Sequence, residues 1–452
     1  MGAYLSHGAF STPTLATKFT ISFWFKRSEL GAVNYLLGCY DGSSTNSTDF
    51  VFGTGDNLAL YFGGNAGSGY LLQTNRVFRD VNAWYHFVYE VDTTQATDSN
   101  RVKVYINGVQ ETSFSTTQYP PQNATTFIFN SANNKIGQQW NAGTAASSWD
   151  GSMTHFHFID GTAYDASTFG ETDATTGIWK PKTAPSVTYG TNGFFLKFEN
   201  SGSMGTDSSG NGNNFTVNGT ITQTVDTPSN VFCTMNPLAK FNPASTGTTF
   251  SNGNNTLVAS SSYSYNFSTL AVSKGKWYCE MKLVSASGTG NGGTGIGVAI
   301  IDNPIDFNFY PVNDTNLDAQ IYNTVGELRA NGVSTAYGSS YTSNDVVGVA
   351  LDMDNGRLFF SKNGVWQNSG DPVTGTGAIT DINTSKTYAI MVNDDASAFT
   401  GTFQLNFGNG YFGTTAVSSA QNPDDGIGIF EYTVPTGYKA LCTKSINSQE
   451  YA

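Results

Sequence analysis

Apolar and polar residues along this chain alternate at a period of two, in short runs separated by Gly, Asn, Asp and Ser. In Phe19-Thr20-Ile21-Ser22-Phe23-Trp24-Phe25, the side chains of Phe19, Ile21, Phe23 and Phe25 fall on one face, as a half-buried strand requires. The runs Trp84–Val91, Arg101–Ile106 and Met153–Ile159 predict further strands of the same kind. In the second half the strand signals are Gly275–Leu283, Gly295–Ile301, Tyr388–Val392 and Thr402–Gly408. Val346, Val347, Val349 and Leu351 form a nearly continuous apolar run, expected of a strand buried on both faces. Asn107-Gly108 and Asn363-Gly364 predict hairpin turns, because Asn-Gly accepts positive φ at both central positions of a type I′ turn. In the first half the one helical turn expected is near Asp165 to Phe169, with Asp165 as its N-cap. Strands this short and evenly spaced predict an all-β chain of two antiparallel β-sandwiches in tandem. The expected domains are a first sandwich over residues 1–200, an ordered connector over 201–250 and a second sandwich over 251–452.

Composition narrows the function. Charged residues are only 12% of the 452, while Gly numbers 50 and aromatics reach 14%; average chains carry roughly 25% charge. Such a chain folds rather than staying disordered. The net charge of −13 repels phosphate backbones and anionic lipid, so neither nucleic acid nor membrane is an expected partner. No apolar run reaches the ~18 residues of a membrane helix, and no basic-then-apolar secretory leader is read at the start. Cys39, Cys233, Cys279 and Cys442 lie far apart and are expected to be buried thiols, with disulfides left open.

Three groups of residues resemble known families. The stretch Asp345 to Trp366, with Gly348-Val349, Asp352, Gly356, Phe360 and Asn363-Gly364, resembles the SPRY (B30.2-like) domain, which implies a binding module without a catalytic centre. Ile21–Arg27, Trp84–Phe87, Val104–Val109 and Phe156–Gly161 resemble the laminin-G-like branch of the concanavalin-type jelly rolls. Ile159-Asp160-Gly161, Tyr189–Phe194, Asn236-Pro237-Leu238 and Phe430–Cys442 resemble virion proteins of tailed marine phages, in which a laminin-G-like domain precedes a SPRY-like one. That last resemblance implies a virion surface location and other virion proteins of tail, fibre or capsid as partners. It also implies a homo-oligomer in the particle.

Catalytic patterns fall short. Related retaining glycanases carry Glu-x-Asp-x-x-Glu on one strand. Here the series is Glu90-Val91-Asp92-Thr93-Thr94-Gln95, and Gln95 has no proton to give as a general acid. His155 and His157 are two apart on a strand and so share a face, yet no third metal ligand lies nearby in sequence. Asp352-Met353-Asp354-Asn355-Gly356 opens like an EF-hand loop, but Asn363 stands where the bidentate Glu belongs. No cofactor is expected. Calcium is open through the loop acids Asp41, Asp49 and Asp56, which no motif singles out.

Binding remains. Sugar recognition needs an aromatic face with amides or carboxylates beside it, and Gln139, Trp140 and Asn141 supply that set. Trp24, Trp84 and Trp277 fall in strand patterns and are expected in the core. In the second sandwich the SPRY resemblance points to partner-docking loops at Asp302–Asp314 and Asn331–Tyr341, with Tyr310, Asp314 and Tyr337 as candidates. The expected function is non-enzymatic adhesion from a phage virion surface, to host-surface glycan or to a virion protein. The alternatives are a polysaccharide depolymerase of concanavalin-like fold and a bacterial cell-surface adhesin.

Overall fold

Asn107 and Gly108 have φ of 50° and 81°, and Asn363 and Gly364 have 48° and 79°. Both pairs therefore close type I′ hairpins, whose twist suits the strands they join. The computed structural model describes the chain except residues 1, 41–46, 64–68, 126–127, 130–132, 141–147, 242–247, 261–263, 288–293, 303–318, 395–399 and 451–452. Two units emerge, Met1–Gln223 and Thr224–Ala452.

The first unit begins with β1 (Tyr4–His7), β2 (Lys18–Arg27), β3 (Asn34–Tyr40), β4 (Ser47–Phe52), β5 (Asn57–Phe62) and β6 (Tyr70–Val77). It continues through β7 (Tyr85–Asp92), β8 (Val102–Ile106), β9 (Val109–Glu111), β10 (Phe114–Gln118) and β11 (Asn133–Ile136). It ends with β12 (Gly151–Asp160), β13 (Gly170–Thr172), β14 (Trp179–Pro181), β15 (Phe194–Leu196) and β16 (Thr216–Asn218). Among the described residues one sheet runs β10-β6-β5-β4-β3-β11-β1-β16 and the other β15-β12-β2-β7-β8-β9. Phe19, Ile21, Phe23 and Phe25 all point into the space between them, as their alternation requires. Phe23 stacks on Phe156 at 4.8 Å and meets Phe87 at 5.1 Å. Asp165 does cap a single 3-10 turn, Ala166–Thr168, by accepting from the Ser167 amide.

In the second unit one sheet contains Met235–Phe241, Ser264–Val272, Tyr388–Asp394, Gly295–Ile300, Gln320–Asn323, Glu327–Ala330 and Val333–Ala336, in that spatial order. The facing sheet contains Thr249–Ser251, Thr256–Ser260, Thr400–Asn406, Lys276–Ser287, Val346–Asp352, Arg357–Lys362 and Val365–Trp366. Val347, Val349 and Leu351 face the core between the sheets, and Ala350 is buried on the other side under Phe430 and Tyr438. That double burial explains the unbroken apolar run. Among the described residues the fold is two β-sandwiches, all-β apart from 3-10 turns and a C-terminal helix, Thr443–Glu450, which no periodicity announced. Trp24, Trp84 and Trp277 are buried, as are all four cysteines, which are free thiols.

The stretch 201–250, expected as a connector, is instead shared out between the units. Thr216-Val217-Asn218 add an edge strand to β1, while Met235–Phe241 and Thr249–Ser251 pair within the second unit. A polar extended segment still needs partners for its backbone N–H and C=O groups, and the adjacent sheet edges supply them.

Candidate functional site

Strand β3 turns Leu37 and Cys39 into the core and leaves Gly38 and Tyr40 on the outer face. Gly38 lies opposite Lys135 of β11 on one side and Asp49 of β4 on the other. The chain after β11 returns across this face. A Cβ on Gly38 would stand 2.4 Å from the Trp140 amide nitrogen and 2.9 Å from Asp49 Oδ1, so only glycine admits the crossing. The Trp140 ring then lies flat on Tyr40, with centroids 3.7 Å apart and planes 15° from parallel. Both rings are half-buried. The Trp140 indole lies close enough to Asp49 to favour its charged form.

Asp49 is only 8% exposed, and its Oδ1 has no hydrogen-bond partner. Burial pushes its carboxyl up to about 7 despite the Trp140 contact. Gln138 braces the crossing from below: its Oε1 accepts from Lys135 Nζ at 3.0 Å and its Nε2 donates to Ser148 Oγ at 3.3 Å. Gln139 is half-buried beside Trp140, and Asn141 lies outside the described residues. We expect Gly38→Ala to push residues 138–140 off the sheet at a cost of roughly 1–3 kcal/mol. Loss of the intrinsic near-ultraviolet signal of the Tyr40–Trp140 stack would report it; an unchanged signal and melting temperature would contradict the crossing.

The candidates of the second unit fare differently. Tyr310 and Asp314 lie outside the described residues. Tyr337, expected on a docking loop, is turned inward instead. Its ring packs on Tyr322 and Phe360, and its hydroxyl accepts from the Phe360 amide at 3.2 Å. Tyrosine fits this place because its hydroxyl finds a partner where its ring is buried.

The acids and histidines are engaged in structure. Glu90 takes Lys103 at 3.0 Å and the Tyr105 hydroxyl at 2.9 Å. Burial raises the Asp92 carboxyl, but Thr94, Gln95 and Lys18 outweigh it and hold it down at about 2. Gln95, the position where the glycanase pattern needs its acid, thus donates to Asp92 at 2.8 Å. Asp56 is spanned by Arg27 at 3.1 Å and Arg79 at 3.0 Å, so cations of the chain itself occupy it. Asp41 lies outside the described residues. Asp352 accepts the Asp354 and Asn355 amides and pairs with Lys276 at 3.2 Å, closing a tight turn.

The strand reading for His155 and His157 needs amendment. Pairing of β12 with β2 shifts between Thr154 and His157, and His155 has φ of 48°. This bulge interrupts simple alternation. His157 stacks on Phe195 at 3.8 Å and bonds the Tyr189 hydroxyl at 2.9 Å. Among the described residues no three His, Cys, Asp or Glu side chains gather as a metal site.

A buried Ser–His pair exists at Ser22 and His86, 2.9 Å apart. The Trp179 indole N–H donates to His86 Nδ1 at 3.0 Å. Indole only donates, so the neutral ring carries its proton on Nε2 and gives it to Ser22. A base that activates serine must do the reverse.

Glu280 was not singled out by any motif. It is fully buried and accepts four donors: the Glu431 and Tyr432 amides at 2.9 and 2.8 Å, the Tyr278 hydroxyl at 3.1 Å and the Asn406 amide at 3.2 Å. It ties the C-terminal segment to the sheet.

The profile of the Concanavalin A-like lectin/glucanases superfamily (Laminin_G_3) matches residues 2–167, and that of the SPRY domain matches residues 276–405. No curated protein matches. Among solved structures, the SPRY domain of human HERC1 is 22% identical, with 38% of this chain and 96% of that one covered and a TM-score of 0.29. A putative carbohydrate binding protein from Bacteroides ovatus ATCC 8483 is 15% identical, at 48% of this chain and a TM-score of 0.32; the match spans 56% of that protein's length. A human SPRY domain is 17% identical, with 35% and 94% covered and a TM-score of 0.25. The chain thus carries a laminin-G-like, concanavalin A-type domain over residues 2–167, followed by a SPRY domain over residues 276–405.

Proposed function

We propose that this is a non-enzymatic recognition protein whose first domain binds carbohydrate on the Tyr40–Trp140 shelf, while its SPRY domain contacts a protein. The shelf itself carries the reading. A flat, half-exposed indole backed by a second ring offers the C–H stacking surface that a pyranose needs, and Gln139, the preceding residue, is partly exposed. The lectin profile over residues 2–167 supports it. Against a depolymerase stand Glu90 and Asp92, each paired with a lysine, and the absent acid at Gln95.

Trp140→Ala tests the shelf. The ring stacks on the outer face, so the fold should survive its loss. On a glycan array and on whole cells we expect attachment to weaken about tenfold, in keeping with the energy of one aromatic stack. Undiminished binding to both would remove Trp140 from the reading.

We further place the protein on a phage particle surface, bound to other virion proteins and present there in several copies. The support is the resemblance of the residue series Ile159-Asp160-Gly161, Tyr189–Phe194, Asn236-Pro237-Leu238 and Phe430–Cys442 to virion proteins of tailed marine phages. Immunogold labelling of purified particles checks it. Label on intact virions is the expected result. Label confined to a bacterial envelope would reject it in favour of a cell-surface adhesin with the same shelf.

A further inference from the structure

A second feature of the lectin-like domain has unfilled bonding capacity. Strand β9 ends one sheet and β10 ends the other. Between these edges, under the 3-10 turn Asp98–Asn100, lies a cleft of about 220 Å³. The rings of Phe114 and Tyr119 line it, both half-buried, together with Val102. Around them stand Ser99, Asn100, Gln110 and Thr112, all exposed. The side-chain amides and hydroxyls of those four, and the Tyr119 phenol, make no hydrogen bond within the described residues.

The charges at the wall are spent on each other. Glu111 is 7% exposed; its Oε2 takes Arg76 at 2.6 Å and its Oε1 takes the Ser113 amide at 3.0 Å. Glu111 is thus neutralised, the Asp98 carboxylate on the turn above acts on the Tyr119 phenol and repels anions, and the free groups that line the cleft are neutral. The cleft favours a neutral ligand rich in hydroxyls, with an apolar face for the rings. The volume lies below the 300–1,000 Å³ typical of drug-sized sites, so it admits about one sugar ring. We propose that this edge cleft is a second carbohydrate subsite, taking a single neutral pyranose with Gln110, Asn100 and the Tyr119 hydroxyl as its hydrogen-bonding groups. The proposal rests on the carbohydrate reading of this domain but uses none of the shelf residues.

The test is saturation-transfer difference NMR of the full chain with free glucose, galactose, mannose and N-acetylglucosamine. At least one should receive saturation on its ring protons, with a Kd on the order of millimolar, as expected for so few ligand atoms. The Asn100→Ala/Gln110→Ala double variant should weaken that signal at least fivefold. Both residues are exposed, so the fold is spared. Because Tyr119 also packs on the core, Tyr119→Phe is used there, removing only the hydroxyl; it should weaken binding too. All of these variants are compared in a Trp140→Ala background, so that a sugar ring stacked on the shelf adds nothing to the signal, which should persist there until the cleft is altered.

No saturation of any of the four sugars, or a signal that survives the double variant, overturns the cleft. If glycan-array binding then persists and depends on Trp140, the cleft alone has failed and the shelf stands. If the array is blank as well, the carbohydrate reading has failed with it.

Discussion

Replacing Glu280 with Ala should destabilise the SPRY domain by about 3–5 kcal/mol, the usual loss when one partner of a buried charged network is removed. The substitution strands the Glu431 and Tyr432 amides, the Asn406 amide and the Tyr278 hydroxyl, all of which end on this one carboxylate. Each stranded donor costs about 1–3 kcal/mol unless water reaches it. For a domain of this size the melting temperature should fall by roughly 10 °C. Amide exchange should rise first in residues 406–432, since Asn406 also holds the Gly408 and Gly410 amides. Glu280→Gln should cost less but still destabilise, because its NH₂ must face a donor. Calorimetry and hydrogen exchange read both effects. A Glu280→Ala domain that melts with the wild type, or exchanges first elsewhere, would contradict this role.

The second large effect is acid sensitivity at His86. Burial pushes its imidazole down to about 3, with His155 adding to the shift. Unfolded, the ring titrates near ~6.5. The unfolded chain therefore binds a proton that the folded one refuses, and stability is lost as pH falls from about 6.5 toward 3, by up to ~1.4 kcal/mol per pH unit. His157 is shifted in the same direction by burial. Asp49 works in the opposite sense. Its folded carboxyl stands at about 7 against 3.8, so the folded state gains the proton first and stability from this group rises as pH falls from 7 to about 4.

The two trends overlap and partly cancel in the wild type, so each is read against its own variant. Between pH 6.5 and 4 the stability of the wild type relative to His86→Gln should fall with acid. Relative to Asp49→Asn it should rise. Hydrogen exchange of peptides covering β7 and β4 separates this domain from the other. A flat difference for His86→Gln would mean that the ring is protonated in the fold.

Acid denaturation read this way also bears on the shelf. The Trp140 side chain lies beside a carboxyl that changes charge near neutrality. Stacking on Tyr40 and the steric gap over Gly38 do not titrate, so the shelf keeps its place on both sides of that transition.

The carboxylates show why chemistry was harder to read than architecture. Glu90, Asp92, Asp56 and Asp352 look alike in sequence, as acids near turns. Their lysine and arginine partners lie up to 76 residues away in number and are brought close only by strand pairing, as for Lys276 with Asp352 and Lys103 with Glu90. Tyr337 and Trp140 were both loop aromatics by pattern. One is turned under Phe360 and the other lies on Tyr40 because of which strand edges meet there, and no local signal distinguishes the two cases.

Local geometry, by contrast, was legible along the chain itself. Alternation at period two defines which side of a strand is buried, and Asn-Gly permits the two positive φ values of its hairpin, whatever the rest of the molecule does. So the two sandwiches, their hairpins at Asn107-Gly108 and Asn363-Gly364, the Asp165 cap and the aromatic cores were written in neighbouring residues. The partition of 201–250 between the two units, the four donors on Glu280, the Gly38–Asp49–Trp140 crossing and the edge cleft at Tyr119 were decided by tertiary structure. Each depends on register between strands distant in sequence, and register is set by packing of the whole core rather than by any single segment.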